Sequence, residues 1–224
     1  MTQQESVKQG NGTSRRTRRM NRRQQDILKV AARMFAERGY ERTTLEMIAD
    51  ELGLSKASLY YYVKSKEDVL AHIFQNIFQG ILDRVQTDIS PEMSPHEQLY
   101  RLISAYVTHA CIYPEGRTLF LYESHLLSIC NADLLGLRDR YQQQVEEAIS
   151  AGIEQGIFHV SHAKLATLVL VGALHTIPLW YVPDGPLSPT EIAEYYARLL
   201  IGGLAAPLNL PYDLSYAESP SSTA

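Results

Sequence analysis

Cysteine is scarce in this chain of 224 residues: Cys111 and Cys130 are the only two, and neither sits in a C-x-x-C or other metal-ligand spacing. A disulfide-dense scaffold and a zinc finger are thereby excluded, and a reduced, cytoplasmic setting is the expectation. Long apolar runs are missing too. The best, residues 165–173, falls short of a bilayer span and is followed by His175 and Pro178. No apolar stretch backs the polar and then basic N-terminus, so a secretory signal is not expected. Alternating apolar and polar residues, the mark of a half-buried strand, do not occur convincingly anywhere. Paired carboxylates, H-E-x-x-H, G-x-S-x-G, a P-loop and G-x-G-x-x-G are all absent, and of the histidines only His159 and His162 lie close together. The chain is therefore not expected to be an enzyme, and no catalytic residue, metal site or cofactor is expected.

What is present is an uneven charge distribution on a core-forming sequence. Hydrophobic residues make up 45% of the chain, enough for a sizeable core. Residues 1–66 carry 14 Lys and Arg against 7 Asp and Glu, a net of +7, while the rest carries 7 against 18, a net of −11. A small basic head on a larger acidic body suggests that the head alone meets a polyanion.

Helical periodicity and caps organise the chain into an all-α protein of about nine helices. Residues 1–20 lack apolar periodicity and read as a disordered arm ending in Arg15, Arg16, Arg18, Arg19, Arg22 and Arg23. That run is either a solvated tail or a phosphate or minor-groove contact. Residues 21–66 read as a head of three helices. The first runs over 21–38 with Ile27, Val30, Ala31, Met34 and Phe35 on one face and Gly39 as its stop. Thr43-x-x-Glu46 reads as a capping box for the second, Gly53 ends it, and Ser55 caps a third over residues 56–62. Residues 67–206 read as a helical body. A fourth helix opens after Ser65, and others cover about 94–112, 114–129, 131–155, 161–180 and 188–204. Two of them begin with the specific combination of serine cap, proline and N3 acid: Ser94-Pro95-x-Glu97 and Ser188-Pro189-x-Glu191. Residues 207–224 read as a flexible tail.

Two short helices joined by a tight turn containing Gly, closed by a preceding amphipathic helix, form a helix-turn-helix over residues 43–63. Its third helix would lie in a DNA major groove with its N-terminal residues on the bases. Thr43 and Thr44, at a helix N-terminus, suit a phosphate. Ser55, Lys56, Ala57 and Ser58 open the recognition helix, where Lys56 can reach a guanine edge or a phosphate and Ala57 a thymine methyl. Tyr60, Tyr61 and Tyr62 diverge by about 100° per residue, so they cannot all face DNA. Leu54, Leu59 and Tyr62 read as core.

The run Thr43-Thr44-Leu45-Glu46-Met47-Ile48-Ala49-Asp50-Glu51-Leu52-Gly53-Leu54-Ser55-Lys56-Ala57-Ser58-Leu59-Tyr60-Tyr61-Tyr62-Val63-Lys64-Ser65-Lys66-Glu67 resembles the DNA-binding domain of the tetracycline-repressor (TetR) family, as does Phe35-Ala36-Glu37-Arg38-Gly39-Tyr40 before it. The resemblance covers residues 24–70. It implies an all-helical homodimer that represses transcription until a small ligand binds its C-terminal domain. It also implies that Tyr60 and Tyr61 face DNA and that Lys64 holds a phosphate. A TetR-type activator, or a helical protein-interaction module that does not bind DNA, are the alternatives.

Leu179-Trp180-Tyr181-Val182-Pro183-Asp184-Gly185-Pro186-Leu187-Ser188-Pro189-Thr190-Glu191-Ile192-Ala193, with Leu137-Arg138-Asp139-Arg140-Tyr141 upstream, resembles a subset of that family that governs lipid, fatty-acid and steroid catabolism. Several of these respond to acyl-CoA thioesters, so the expected partners are operator DNA and an acyl-CoA or related lipid thioester, with no membrane. The chain departs from the subset at Thr176-Ile177-Pro178-Leu179, where Pro178 is expected to kink the helix. Polar tips on apolar helices nominate Tyr106, His109, Phe120, Tyr122, Glu123, His125 and Trp180 as pocket residues, with Arg117 and His175 able to bind a carboxylate or phosphate. Each of these side chains has an ordinary reading as core or dimer contact. Leu168, Val171, Leu174, Tyr195, Leu199 and Leu200 exceed what one core face needs, which suits a dimer interface made by the last two helices.

Overall fold

The computed structural model describes residues 6–112, 122 and 132–207. It has no strand among them, and nine α-helices: α1 Ser6–Arg38, α2 Leu45–Glu51, α3 Lys56–Tyr60, α4 Lys66–Asp88, α5 Pro95–Ile112, α6 Ala132–Glu154, α7 Ala163–His175, α8 Ile177–Trp180 and α9 Pro189–Ala205. The expected all-α architecture is the observed one.

The expected arm of residues 1–20 lies partly outside the described residues, and from Ser6 the backbone of α1 is helical, through the arginine run. Arg, Gln and Met are good helix formers, and no proline interrupts the stretch before Arg38. In its C-terminal half Ile27, Leu28, Ala31, Ala32, Met34 and Phe35 are buried. These residues recur at three- and four-residue spacing, so one stripe of α1 covers α2 and α4.

Caps set the head's short helices. Thr44, not Thr43, is the N-cap of α2, its hydroxyl accepting from the Met47 N–H at 3.2 Å. The predicted Thr43–Glu46 capping box is therefore one residue out of register, and Glu46 is released for another partner. At the turn into α3, Gly53 has φ +61°, a left-handed conformation that a side chain would strain. Leu54 N–H then folds back to the Ala49 carbonyl at 2.8 Å. Ser55 caps α3 through the Ser58 N–H, and Ser65 caps α4 through the Asp68 N–H. Leu59 is fully buried beneath α3. Burying such a side chain stabilises by roughly 1.5–3 kcal/mol.

Helix α4 belongs to both halves. It packs on α1 on one side and on α5 and α6 on the other. Within the body, α5 makes its most extensive contact with α9 and is also covered by α4 and α6. α4 and α5 come close at Gly80, where an added Cβ would lie 2.6 Å from His109 Nε2. Only glycine fits there without moving the imidazole.

The predicted helix over residues 161–180 is broken in two. α7 begins at Ala163 after His162, ends at His175, and α8 restarts at Ile177 with Pro178 in its first turn. The proline cannot donate to the preceding turn, as expected. Residues 163–180 also make an 18-residue stretch of mean hydropathy 1.4, longer than the apolar run read from the sequence and sufficient by composition for a membrane span. Its inner stripe, Thr167, Leu170, Val171, Leu174 and Ile177, is buried against the body.

Candidate nucleic-acid interface and effector site

The predicted interface residues divide into two groups. Ser55, Lys56, Ala57, Ser58, Tyr60, Tyr61, Lys64 and Thr44 all lie exposed on or next to α2 and α3. Tyr61 is 66% exposed, unusual for a side chain of that size with so little polar surface. Thr43 differs. It is fully buried, and its hydroxyl donates towards the Gly39 carbonyl at 2.9 Å and the Met34 carbonyl at 3.3 Å. It ties the C-terminus of α1 to the start of α2 and has no surface for a phosphate. Leu59 is fully buried, and Tyr62 and Leu54 are half-buried. The divergence expected of the three consecutive tyrosines is therefore realised.

Lys56 is held in place before any ligand arrives. Its Nζ lies 2.6 Å from Glu46 Oε1 and 5.7 Å from the Tyr60 ring centroid. The hydrogen bond to Glu46 raises the lysine above its ordinary pKa, and the same bond lowers the Glu46 carboxylate. Both groups are exposed, so the pair orients the lysine more than it stabilises the fold. Lys64 takes its position from Asp68, whose carboxylate accepts the Lys64 backbone N–H at 2.8 Å. The side chain of Lys64 stays in solvent. One basic, aromatic and hydroxylated edge thus runs from Thr44 across α3 to Lys64, at the exposed end of the head.

Among the described residues, the nominated effector residues do not all meet at one place. Arg117, Phe120, Glu123 and His125 lie outside the described residues. Tyr106 is buried in the core of the body, its hydroxyl 2.9 Å from His175 Nδ1 and its ring 5.4 Å from that of Tyr141. Burial pushes Tyr141 well above the ordinary phenol range, and its hydroxyl donates to the Leu102 carbonyl at 3.2 Å. Tyr106 and His175 thus meet, a polar pair in an apolar setting beside the α7–α8 break.

The other three sit elsewhere. His109 rests on Gly80 and lines a cleft of about 320 Å³ with Gln25 and Lys29 of α1 and Asn76 and Asp83 of α4. Tyr122 leaves the body altogether. Its hydroxyl donates to the Phe35 carbonyl at 3.0 Å and accepts the Tyr40 N–H at 2.8 Å, bridging the end of α1 to the turn beyond it. Trp180 is 44% exposed and stacks on Tyr196 at 6.4 Å between centroids, so it belongs to the outer surface. Sequence reasoning ranks these residues by polarity on apolar helices, and that signal does not distinguish a pocket from a domain junction or an outer face.

One feature escapes the sequence reading. A cleft of about 590 Å³ between α4, α5 and α6 is walled by Gln79, Gln86, Gln98, Gln143 and Gln144. Scattered glutamines give no periodic signal. An apolar groove of about 400 Å³ runs between α7 and α9, lined by Leu165, Val169, Leu170, Leu199, Leu200 and Leu204. Of the expected interface residues Leu199 and Leu200 line it, Leu168 and Tyr195 are exposed on the same two helices, and Val171 and Leu174 are buried inward.

The fold and this site define a class: a helical regulator with a helix-turn-helix head and a separate helical body. The family model for bacterial regulatory proteins of the tetR family matches residues 27–73, and that for the tetracyclin repressor-like C-terminal domain matches residues 92–204. The chain belongs to the tetracycline-repressor family. It is 27% identical over 187 residues to the HTH-type transcriptional repressor KstR2 of Mycolicibacterium smegmatis, covering 81% of this chain and 90% of that one. The crystal structure of the TetR family transcriptional regulator PfmR from Thermus thermophilus is similar, with a TM-score of 0.72, 31% identity and coverage of 80% of this chain and 99% of that one. AibR in complex with isovaleryl coenzyme A and operator DNA is also similar, with a TM-score of 0.66, 25% identity and coverage of 80% and 98%. These relatives are regulators, and the chain is not an enzyme.

Proposed function

We propose that the protein is a transcriptional repressor that binds a near-palindromic operator as a homodimer and is released by an acyl-CoA or related lipid thioester. The observation that carries the reading is the exposed edge of α3, where Lys56, Tyr60 and Tyr61 stand clear of a fully buried Leu59. Exposed aromatic and basic side chains at the start of a short recognition helix have little structural use, and they match the chemistry of base edges and phosphates. Contact with DNA falls to Thr44, Ser55, Lys56, Ala57, Ser58, Tyr60, Tyr61 and Lys64. The division between head and body lies near residue 66, inside the start of the shared helix α4.

A second copy on the α7–α9 groove would place two recognition helices about one DNA turn, or a multiple of it, apart. Val169 is 68% exposed and Leu199 64% on this face, a surface that association with an identical face would cover. The thioester reading rests on the likeness to AibR, which was crystallised with isovaleryl coenzyme A, and on the Tyr106–His175 pair as a polar anchor within the body. Effector bound in the body shifts α4, and with it the separation of the heads. Such a coupling is typically worth ~1–3 kcal/mol. The protein works in the cytoplasm, where operator DNA and thioesters are both available.

The test is a titration of the protein–operator complex with isovaleryl-CoA and with a long-chain acyl-CoA, read by fluorescence anisotropy. Release by one of them at saturation is expected. Unchanged operator affinity with every thioester tried would remove the proposed effector class.

A further inference from the structure

The arginine run at the N-terminal end of α1 has no part in the DNA contacts proposed so far, and the structure places it beside the recognition helix. Tyr61 Oη lies 3.8 Å from Met20 Sδ. One turn further along α1, Arg23 donates to the Leu52 carbonyl at 3.4 Å, at the turn between α2 and α3. Met20 and Arg23 thus seat the first half of α1 against the helix-turn-helix. From Met20 the backbone continues as helix back to Ser6, a span of about 20 Å at 1.5 Å per residue. It therefore leaves the head next to Tyr61, at the exposed edge of α3.

Arg19 and Arg22 are exposed on this segment and have no ion pair among the described residues. Arg33 and Lys56 of the head are compensated by contrast, Arg33 lying 2.6 Å from Glu51 and Lys56 2.6 Å from Glu46. Arg19 and Arg22 are three residues apart and so share a helix face, and Arg15 stands one turn earlier in the same register. Met20 and Arg23 occupy the neighbouring face that meets the head. Two uncompensated guanidinium groups beside an exposed tyrosine suit a polyanion that already lies along α3.

We propose that Arg19 and Arg22 contact operator phosphates flanking the bases read by α3, which makes the N-terminal extension of α1 a second, sequence-independent part of the DNA surface. The proposal rests on the reading of the head as a DNA-binding unit. Phosphate contacts of this kind fix register and orientation without reading sequence.

The experiment compares the full-length protein with Arg19→Gln/Arg22→Gln and Arg19→Lys/Arg22→Lys, measuring affinity for an operator duplex and an unrelated duplex over a range of salt concentrations. Each lost phosphate contact lowers the slope of log affinity against log salt by about 0.9, so the glutamine variant is expected to lose about 2 units of slope. Its affinity for both duplexes falls by a similar factor, and the lysine variant retains the wild-type slope. An unchanged melting temperature shows that both variants fold. A wild-type slope in the glutamine variant overturns the proposal, and so does a lysine variant as impaired as the glutamine one, since lysine keeps the charge. Absence of salt-dependent binding by the wild type would instead remove the DNA-binding reading itself.

Discussion

The head and the body are both helical, yet they treat polar surface in opposite ways. In the head, three short helices are fixed by serine and threonine caps, a left-handed Gly53 turn and a compact apolar centre around Phe35, Ile48 and Leu59. This leaves basic and aromatic side chains free at one edge. In the body, long helices bury their polar tips, as with Tyr106, Tyr141 and His175, and leave apolar side chains outside on α7 and α9. The charge difference of +7 against −11 follows the same division. On the proposed function, the head offers its surface to a charged polymer and the body offers its surface to a copy of itself. Among the described residues, α4 and the Tyr122 hydroxyl are parts that touch both.

The largest effect should come from striking the body's apolar face. Val169→Glu with Leu199→Glu places like charges opposite each other in a symmetric dimer, which costs several kcal/mol. Sedimentation should show monomer at concentrations where the wild type is dimeric, with operator affinity reduced at least ~100-fold. Persistence of the dimer would move the interface off α7 and α9. Next, Lys56→Ala and Tyr61→Ala should each cost about 1–3 kcal/mol of operator binding, with dimerisation untouched. Equal losses on an unrelated duplex would assign these side chains to phosphate and not to bases.

A smaller effect is expected at the junction. Tyr122→Phe removes the donor to the Phe35 carbonyl and the acceptor for the Tyr40 N–H. Melting should show a loss of about 1 kcal/mol. If Tyr122 couples the two halves, release by thioester should weaken in this variant while operator affinity in its absence changes little.

The smallest is a pH effect at His109. Burial lowers its pKa, as does Arg84, while the Ala105 carbonyl and Asp83 oppose the shift. A base whose pKa is depressed on folding binds its proton more readily when unfolded. Stability is therefore complete above about pH 6.5, the value of the unfolded group, and declines as pH falls below it. The slope of stability against pH in that window should flatten in His109→Gln.

Most of the head is legible in the sequence because its determinants are local. A cap, a glycine turn and three- to four-residue apolar spacing each act within a few residues, and they place α2, α3 and the start of α4 correctly. The one-residue error at Thr43 arises because two adjacent threonines can both cap. The tertiary contact of Thr43 with the Met34 and Gly39 carbonyls decides between them. The arm reads as unstructured because apolar periodicity is the signal sought, and residues 6–19 have none. In the body most of the described elements are legible, the broken 161–180 helix excepted, and the surroundings of their polar side chains are not. Whether a tyrosine faces a pocket, a junction or solvent depends on which helix lies opposite, as Tyr106, Tyr122 and Trp180 show by going three separate ways.

The division of labour between head and body is tested most directly by selecting bound duplexes from a random pool with the intact protein, with and without acyl-CoA. An enriched inverted repeat is expected, with half-site centres one helical turn or a multiple apart, absent for Lys56→Ala and diminished by thioester. The account would be contradicted by enrichment that survives Lys56→Ala and Tyr61→Ala together, or by a pool that shows no enrichment at low salt.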